Sequence, residues 1–157
     1  MRKRKSRSLS QIEITAVLRL PFSQKALGDF LKKILKHLGF KRSHLSLFFV
    51  TDAEMKKWHR KLMGINSTTD VISLSQLEGV KSPNPLNSIG DIIVCVPEAK
   101  RRAASVGVEF SEELGRYVIH GLLHCIGYND LTPKPRKRMW DLQEKLVKKF
   151  SKILESR

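Results

Sequence analysis

The run Tyr117-Val-Ile-His-Gly-Leu-Leu-His-Cys-Ile126 constrains this chain more than any other stretch. It is apolar except for His120 and His124, which stand four residues apart. A run this apolar belongs in a core, and helical spacing places both imidazoles on one face, about one turn or ~6 Å apart along the axis. Two bare imidazoles on an apolar face are costly to bury, and a shared metal ion removes that cost. Gly127 then lets the chain leave the helix, so a third ligand can return from the turn. Three protein ligands and one open position characterise a catalytic metal site rather than a structural one. A structural pair of core histidines is the alternative.

The chain around this run has 157 residues, of which 41% are hydrophobic, and this predicts one globular domain. Its net charge of +15 comes from 30 basic residues against 15 acidic ones. Such a field draws polyanions, with nucleic acid the first choice and an anionic membrane surface the second. Cys95 and Cys125 form no CxxC pair, so a reducing compartment is expected. The basic N-terminus is followed by no apolar core of a secretion signal. No stretch approaches the ~20 apolar residues that span a bilayer. A cytoplasmic location without a membrane partner is expected. Residues 1–10 carry five basic side chains and three serines and read as a disordered basic arm or a solubilising tail. Residues 11–157 are expected to form the single domain.

Alternation over Ile12–Leu18, and apolar runs at Leu45–Val50, Thr69–Leu74 and Ile89–Val96, predict four strands. Ser23 is placed to cap a helix with Leu27, Phe30, Leu31, Ile34, Leu35 and Leu38 at its apolar positions, which Gly39 ends. Thr51 or Asp52 caps a second helix, with Met55, Trp58 and Leu62 inward, that ends near Gly64. Residues 76–88 read as an exposed loop. A third helix starts at Pro97 and runs to about Val106. The histidine helix begins at Ser111, and a last helix runs from Thr132-Pro133 to about Leu154. The fold class is therefore α+β: a small mixed four-stranded sheet packed with about five helices, with a zincin-like metal site on one of them.

Metallopeptidases of the HExxH kind carry a general-base glutamate directly after the first histidine. Gly121 stands there in this chain, which argues against a peptidase. The stretch His120-Gly-Leu-Leu-His124-Cys-Ile-Gly127-Tyr128-Asn-Asp130 instead resembles the HGxLHLxGYDH signature of the YbeY family of metal-dependent endoribonucleases. Two further segments match in order. Arg60 to Leu74 is similar to the family's segment running from an arginine through R-x-x-x-x-P-T-D-V-L-S-F, and Ile89-Gly-Asp-Ile-Ile-Val94 is similar to its LGDIVI strand.

The resemblance spans residues 12 to about 150. It implies an α+β fold on a small mixed sheet and cleavage of single-stranded RNA. It also implies a part in maturation of small-subunit ribosomal RNA, including its 3′ end, and in ribosome quality control. The ribosomal small subunit and its RNA are then the expected partners. One Zn²⁺ per chain is the expected cofactor, with nickel or another divalent ion able to take its place. By the same resemblance His120, His124 and Asp130 hold the metal, Asp130 standing where the family has a third histidine and Asn129 where it has an aspartate. Two imidazoles and one carboxylate leave zinc a formal charge of +1 instead of +2, so it acidifies a bound water less and holds a phosphodiester less firmly.

By the same resemblance Arg60 is expected to take the role of the family's functionally important arginine, contacting phosphate and stabilising charge in the transition state; a surface arginine at a helix end is the plainer reading of the residue alone. Asp70 is expected to orient a strand entry, Asp91 to serve a turn or a contact behind the ligands, and Tyr128 to pack or touch substrate. Lys134, Arg136, Lys137 and Arg138 are the expected RNA-backbone contacts. With the lysines of the last helix they contribute to nine basic against three acidic residues between Lys134 and Arg157. A solvated helix face is the plainer reading of that run. Few aromatics interleave these segments, so base stacking of the OB-fold type is not indicated. A non-catalytic RNA-binding assembly factor with a structural metal is the second functional reading, and a zincin-type peptidase the third.

Overall fold

The alternation of Gln11–Ala16 makes β1, and the apolar run His44–Val50 makes the central strand β2. Between them Ser23 caps α1, Gln24–His37, its side-chain oxygen accepting the Ala26 N–H at 3.0 Å. Thr51 caps α2, Asp52–Met63, and Gly64 ends it in the left-handed region at φ 70°. The remaining elements are β3 (Val71–Ser75), β4 (Ser88–Cys95), α3 (Val96–Val106), α4 (Phe110–Cys125) and α5 (Pro133–Phe150), followed by a short 3₁₀ turn, Ser151–Glu155. The structure, a computed structural model, describes residues 10–77 and 88–156. Most of the expected basic arm and most of the expected loop at 76–88 lie outside the described residues.

The sheet order is β1-β2-β4-β3, with β1, β2 and β4 parallel and β3 antiparallel to β4. This is the mixed four-stranded sheet with five helices that the sequence predicts. Ile14, Leu47, Ile92 and Ser73 lie side by side across the four strands. That row belongs to the face covered by α1 and α4, with α5 packed against these two helices, and there Phe30, Leu47, Ile92, Val118 and Leu122 form the main core. Val50, Ile72, Ile93 and Cys95 on the opposite face pack with Met55 of α2 in a smaller cluster.

Two local expectations change. Ser10, assigned to the arm, is buried and fixed: its hydroxyl accepts the Ser43 N–H at 3.3 Å and donates to the Lys41 carbonyl at 3.4 Å. On α2 the inward residues are Met55 and His59, while Trp58 and Leu62 are 37% and 38% exposed. Only a narrow ridge of α2 meets the sheet, and an i,i+4 pair fills it. The His59 ring is held there by the Ser67 carbonyl, 2.8 Å from Nδ1. Among the described residues no helix is long and apolar enough to cross a membrane.

Candidate metal centre

Helix α4 lies unusually close to the sheet at Gly121. A Cβ at this position would come within 2.5 Å of Ile92 and 2.9 Å of Val71. The approach is clasped by two serines on one face of β3: Ser73 Oγ donates to the Gly121 carbonyl at 3.0 Å and Ser75 Oγ to the Cys125 carbonyl at 2.7 Å. There is no space here for the glutamate of an HExxH site, so the close docking of the helix requires the glycine that stands in that position.

The same docking turns His120 and His124 together, with their Nε2 atoms 3.1 Å apart. What stands behind each ring decides what those nitrogens are. His120 Nδ1 is 2.8 Å from Gln143 Oε1 on α5. The Gln143 amide is oriented because its Nε2 donates to Glu144 at 3.1 Å, which leaves the oxygen to accept from the ring. Glu144 is in turn held by Arg116 at 3.0 Å. Arg116 also bridges Glu113 and Glu112, at 3.1 and 3.4 Å. Burial works against its charge, but the three carboxylates outweigh that and raise its pKa. His124 Nδ1 is 3.1 Å from the Tyr128 carbonyl, which Gly127, at φ 105°, brings back toward the helix.

Both Nδ1–H groups thus face acceptors, and both Nε2 atoms are left with lone pairs aimed at one another. Lone pairs this close repel unless a cation lies between them. Nitrogens bound to one tetrahedral zinc ion sit ~3.3 Å apart, close to the separation found. Asp130 Oδ2 is 3.8 Å from His124 Nε2, and the three ligand atoms lie within 4.8 Å of one another. The donor set, two nitrogens and one oxygen, fits a divalent ion such as zinc and leaves a fourth position for water or substrate. Arg136, expected to touch RNA, donates from Nε to the Asp130 carbonyl at 3.2 Å and so steadies the ligand loop.

His120 also lines a groove of about 660 Å³ together with Tyr117, Trp140, Arg102, Asp70 and Glu98. Burial, the largest effect, and nearby Asp70 push the Tyr117 phenol well above its usual range, so it is neutral at physiological pH. Asp70 orients the entry to β3, as expected, accepting the Val71 N–H at 2.7 Å. Asp91 accepts from Gln76 at 3.4 Å, and Tyr128 packs against the main core.

Arg60 makes no hydrogen bond or ion pair with any of these groups. It is exposed in the last turn of α2 and does not line the groove. Laid on Thr69-Asp70-Val71, the pattern R-x-x-x-x-P-T-D-V-L-S-F puts its proline at Thr68 and its arginine at Met63, three residues past Arg60. Lys134, Lys137 and Arg138 are exposed on the first turns of α5, with Lys137 paired to Asp141 at 2.8 Å.

Gln143, Glu144, Arg116 and Trp140 were not legible as site residues in the sequence. One signal was available: Gln143 interrupts the apolar side of α5 between Met139 and Leu146, and a polar residue at an inward position needs a buried partner.

The Endoribonuclease YbeY family model matches residues 11–151. Curated relatives named Endoribonuclease YbeY include one from Sulfurihydrogenibium sp. (strain YO3AOP1), 32% identical over 82% of this chain and 84% of its own length. Another, from Persephonella marina, is 31% identical over 79% of this chain and 81% of its own. A solution structure of TM1509 from Thermotoga maritima shares the fold with a TM-score of 0.61 and 25% identity, covering 89% of each chain.

Proposed function

The chain belongs to the Endoribonuclease YbeY family, and from that premise we propose that it cleaves single-stranded ribosomal RNA during small-subunit maturation, including 3′-end processing, and in ribosome quality control. The reading places it in the cytoplasm, with the small subunit and its RNA as partners. The observation that carries it is the convergence of His120, His124 and Asp130, with both imidazoles held from behind so that their Nε2 lone pairs point inward. These three residues would hold one zinc ion, or another divalent ion in its place. When bound, it supplies a Lewis acid and a water acidified toward neutrality.

The chain's own residues orient the reaction around that centre. Gln143 fixes the His120 ring and its protonated nitrogen, and the Tyr128 carbonyl does the same for His124. Lys134 and Arg138, exposed and without a salt-bridge partner among the described residues, take up RNA phosphates without regard to sequence. Arg60 is the arginine nearest in sequence to the Met63 position, and its assignment to a scissile phosphate rests on that proximity.

Incubating the purified chain with single-stranded RNA, with and without a chelator, tests the reading. Cleavage that the chelator abolishes and added zinc restores is the expected result. Salt-sensitive binding with no cutting would replace it with a non-catalytic assembly factor. In the same assay Arg60→Glu is expected to lose cleavage while keeping zinc; undiminished cleavage removes Arg60 from the mechanism.

A further inference from the structure

The groove beside the metal centre carries a feature the metal does not use. Trp140 projects from α5 with 57% of its surface exposed and lines the groove with His120. An indole face open to solvent beside a ligand histidine is a platform on which any base can stack. The charges around it select what enters. Arg116 is shared among Glu112, Glu113 and Glu144, and Arg101 between Glu98 and Asp52, so the carboxylates outnumber their partners; Asp70 accepts a backbone N–H and adds to that negative charge. Carboxylates repel phosphate but accept from the amino and imino groups of a base. The groove interior therefore suits a base and not the backbone. Arg102, also on its wall, has no hydrogen bond or ion pair for its guanidinium among the described residues, and suits the adjoining phosphate.

We propose that this groove is a nucleobase subsite, in which Trp140 stacks one base of a single-stranded RNA and Arg102 holds a neighbouring phosphate, so that a phosphodiester is presented to His120 and His124. The proposal rests on the nuclease reading for its substrate, and it gives that reading a source of strand selectivity. A base held in a duplex cannot reach the indole without unpairing. Trp140 is here a positioning residue, since it touches a base and not the reacting phosphate.

The test measures binding of the full chain, zinc-loaded, to a short labelled single-stranded RNA and to an abasic sugar–phosphate strand of equal length. Wild type is expected to prefer the RNA. Trp140→Ala should weaken RNA binding about tenfold, the low end of what one stacked base contributes, and leave the abasic strand unaffected. Trp140→Phe should retain most of the preference, and Arg102→Ala should weaken both strands alike. In cleavage Trp140→Ala should raise KM more than it lowers kcat. Equal RNA affinity in wild type and Trp140→Ala overturns the subsite, as does an equal loss on both strands. If RNA is bound with this preference but never cut, the subsite stands and the nuclease reading fails. If Trp140→Ala cuts with unchanged KM, the nuclease reading stands and the subsite fails. Thermal melts of each variant separate a binding defect from a folding one.

Discussion

At the scale of single residues, the decisive side chain is one that never touches a metal. Gln143 turns the His120 ring so that Nε2 faces His124, and its own amide is turned by Glu144. Gln143→Leu keeps the volume and removes the acceptor, leaving the Nδ1–H group unsatisfied. Metal affinity is expected to fall about 10- to 100-fold, as for other residues that hold a ligand histidine. Competition against a chromophoric chelator measures it, and an unchanged affinity would show that the ring is held by packing alone. Asp130 poses the complementary question, because it is the most exposed member of the ligand set. Asp130→Ala is expected to lose zinc during purification, read as metal per chain. Recovery of wild-type stoichiometry would take Asp130 out of the set. The assignment of the third ligand position to Asp130 came from the resemblance of the motif that follows His124, so the position itself was legible. Its support was not, because Arg136 meets the Asp130 carbonyl only through the geometry of the turn that leads into α5.

At the scale of elements, the close approach of α4 to the sheet sets the geometry of the centre. Gly121 has side-chain atoms of Ile92 and Val71 where a Cβ would go. Gly121→Ala must therefore push α4 outward or distort those residues, at a cost of about 1–3 kcal/mol. A denaturant titration should show a lower midpoint with an unchanged slope, and an unchanged midpoint would mean the helix docks with room to spare. The strands and helices themselves were readable from apolar spacing, since each period reflects one face meeting one core. Helix α2 shows where that reasoning stops. Its sequence offers Trp58 and Leu62 as inward residues, yet the sheet accepts only the ridge of Met55 and His59. How wide a stripe a helix buries depends on the surface opposite, which periodicity does not encode.

At the scale of the whole molecule, the net charge of +15 makes association with RNA long-ranged and dependent on salt. Binding to a single strand should weaken linearly on a log–log plot against salt, each phosphate neutralised contributing about 0.7 to the slope. Removing two contacts with Lys134→Ala and Arg138→Ala should make that slope shallower by about 1.4. An unaltered slope would mean that the first turns of α5 stay in solvent and that the contacts lie elsewhere. The sequence by itself determined the element types, the α+β class, the charge and the pairing of His120 with His124, because all of these follow from composition or from neighbours within a turn or two of chain. Tertiary structure alone decided the sheet order, the lock on His120 from Gln143, and the groove that sets Trp140 beside the metal centre. The last two depend on α5 packing against α4. Which side chains meet across two helices is set by the volume and direction of everything packed between them, and no local spacing carries that information.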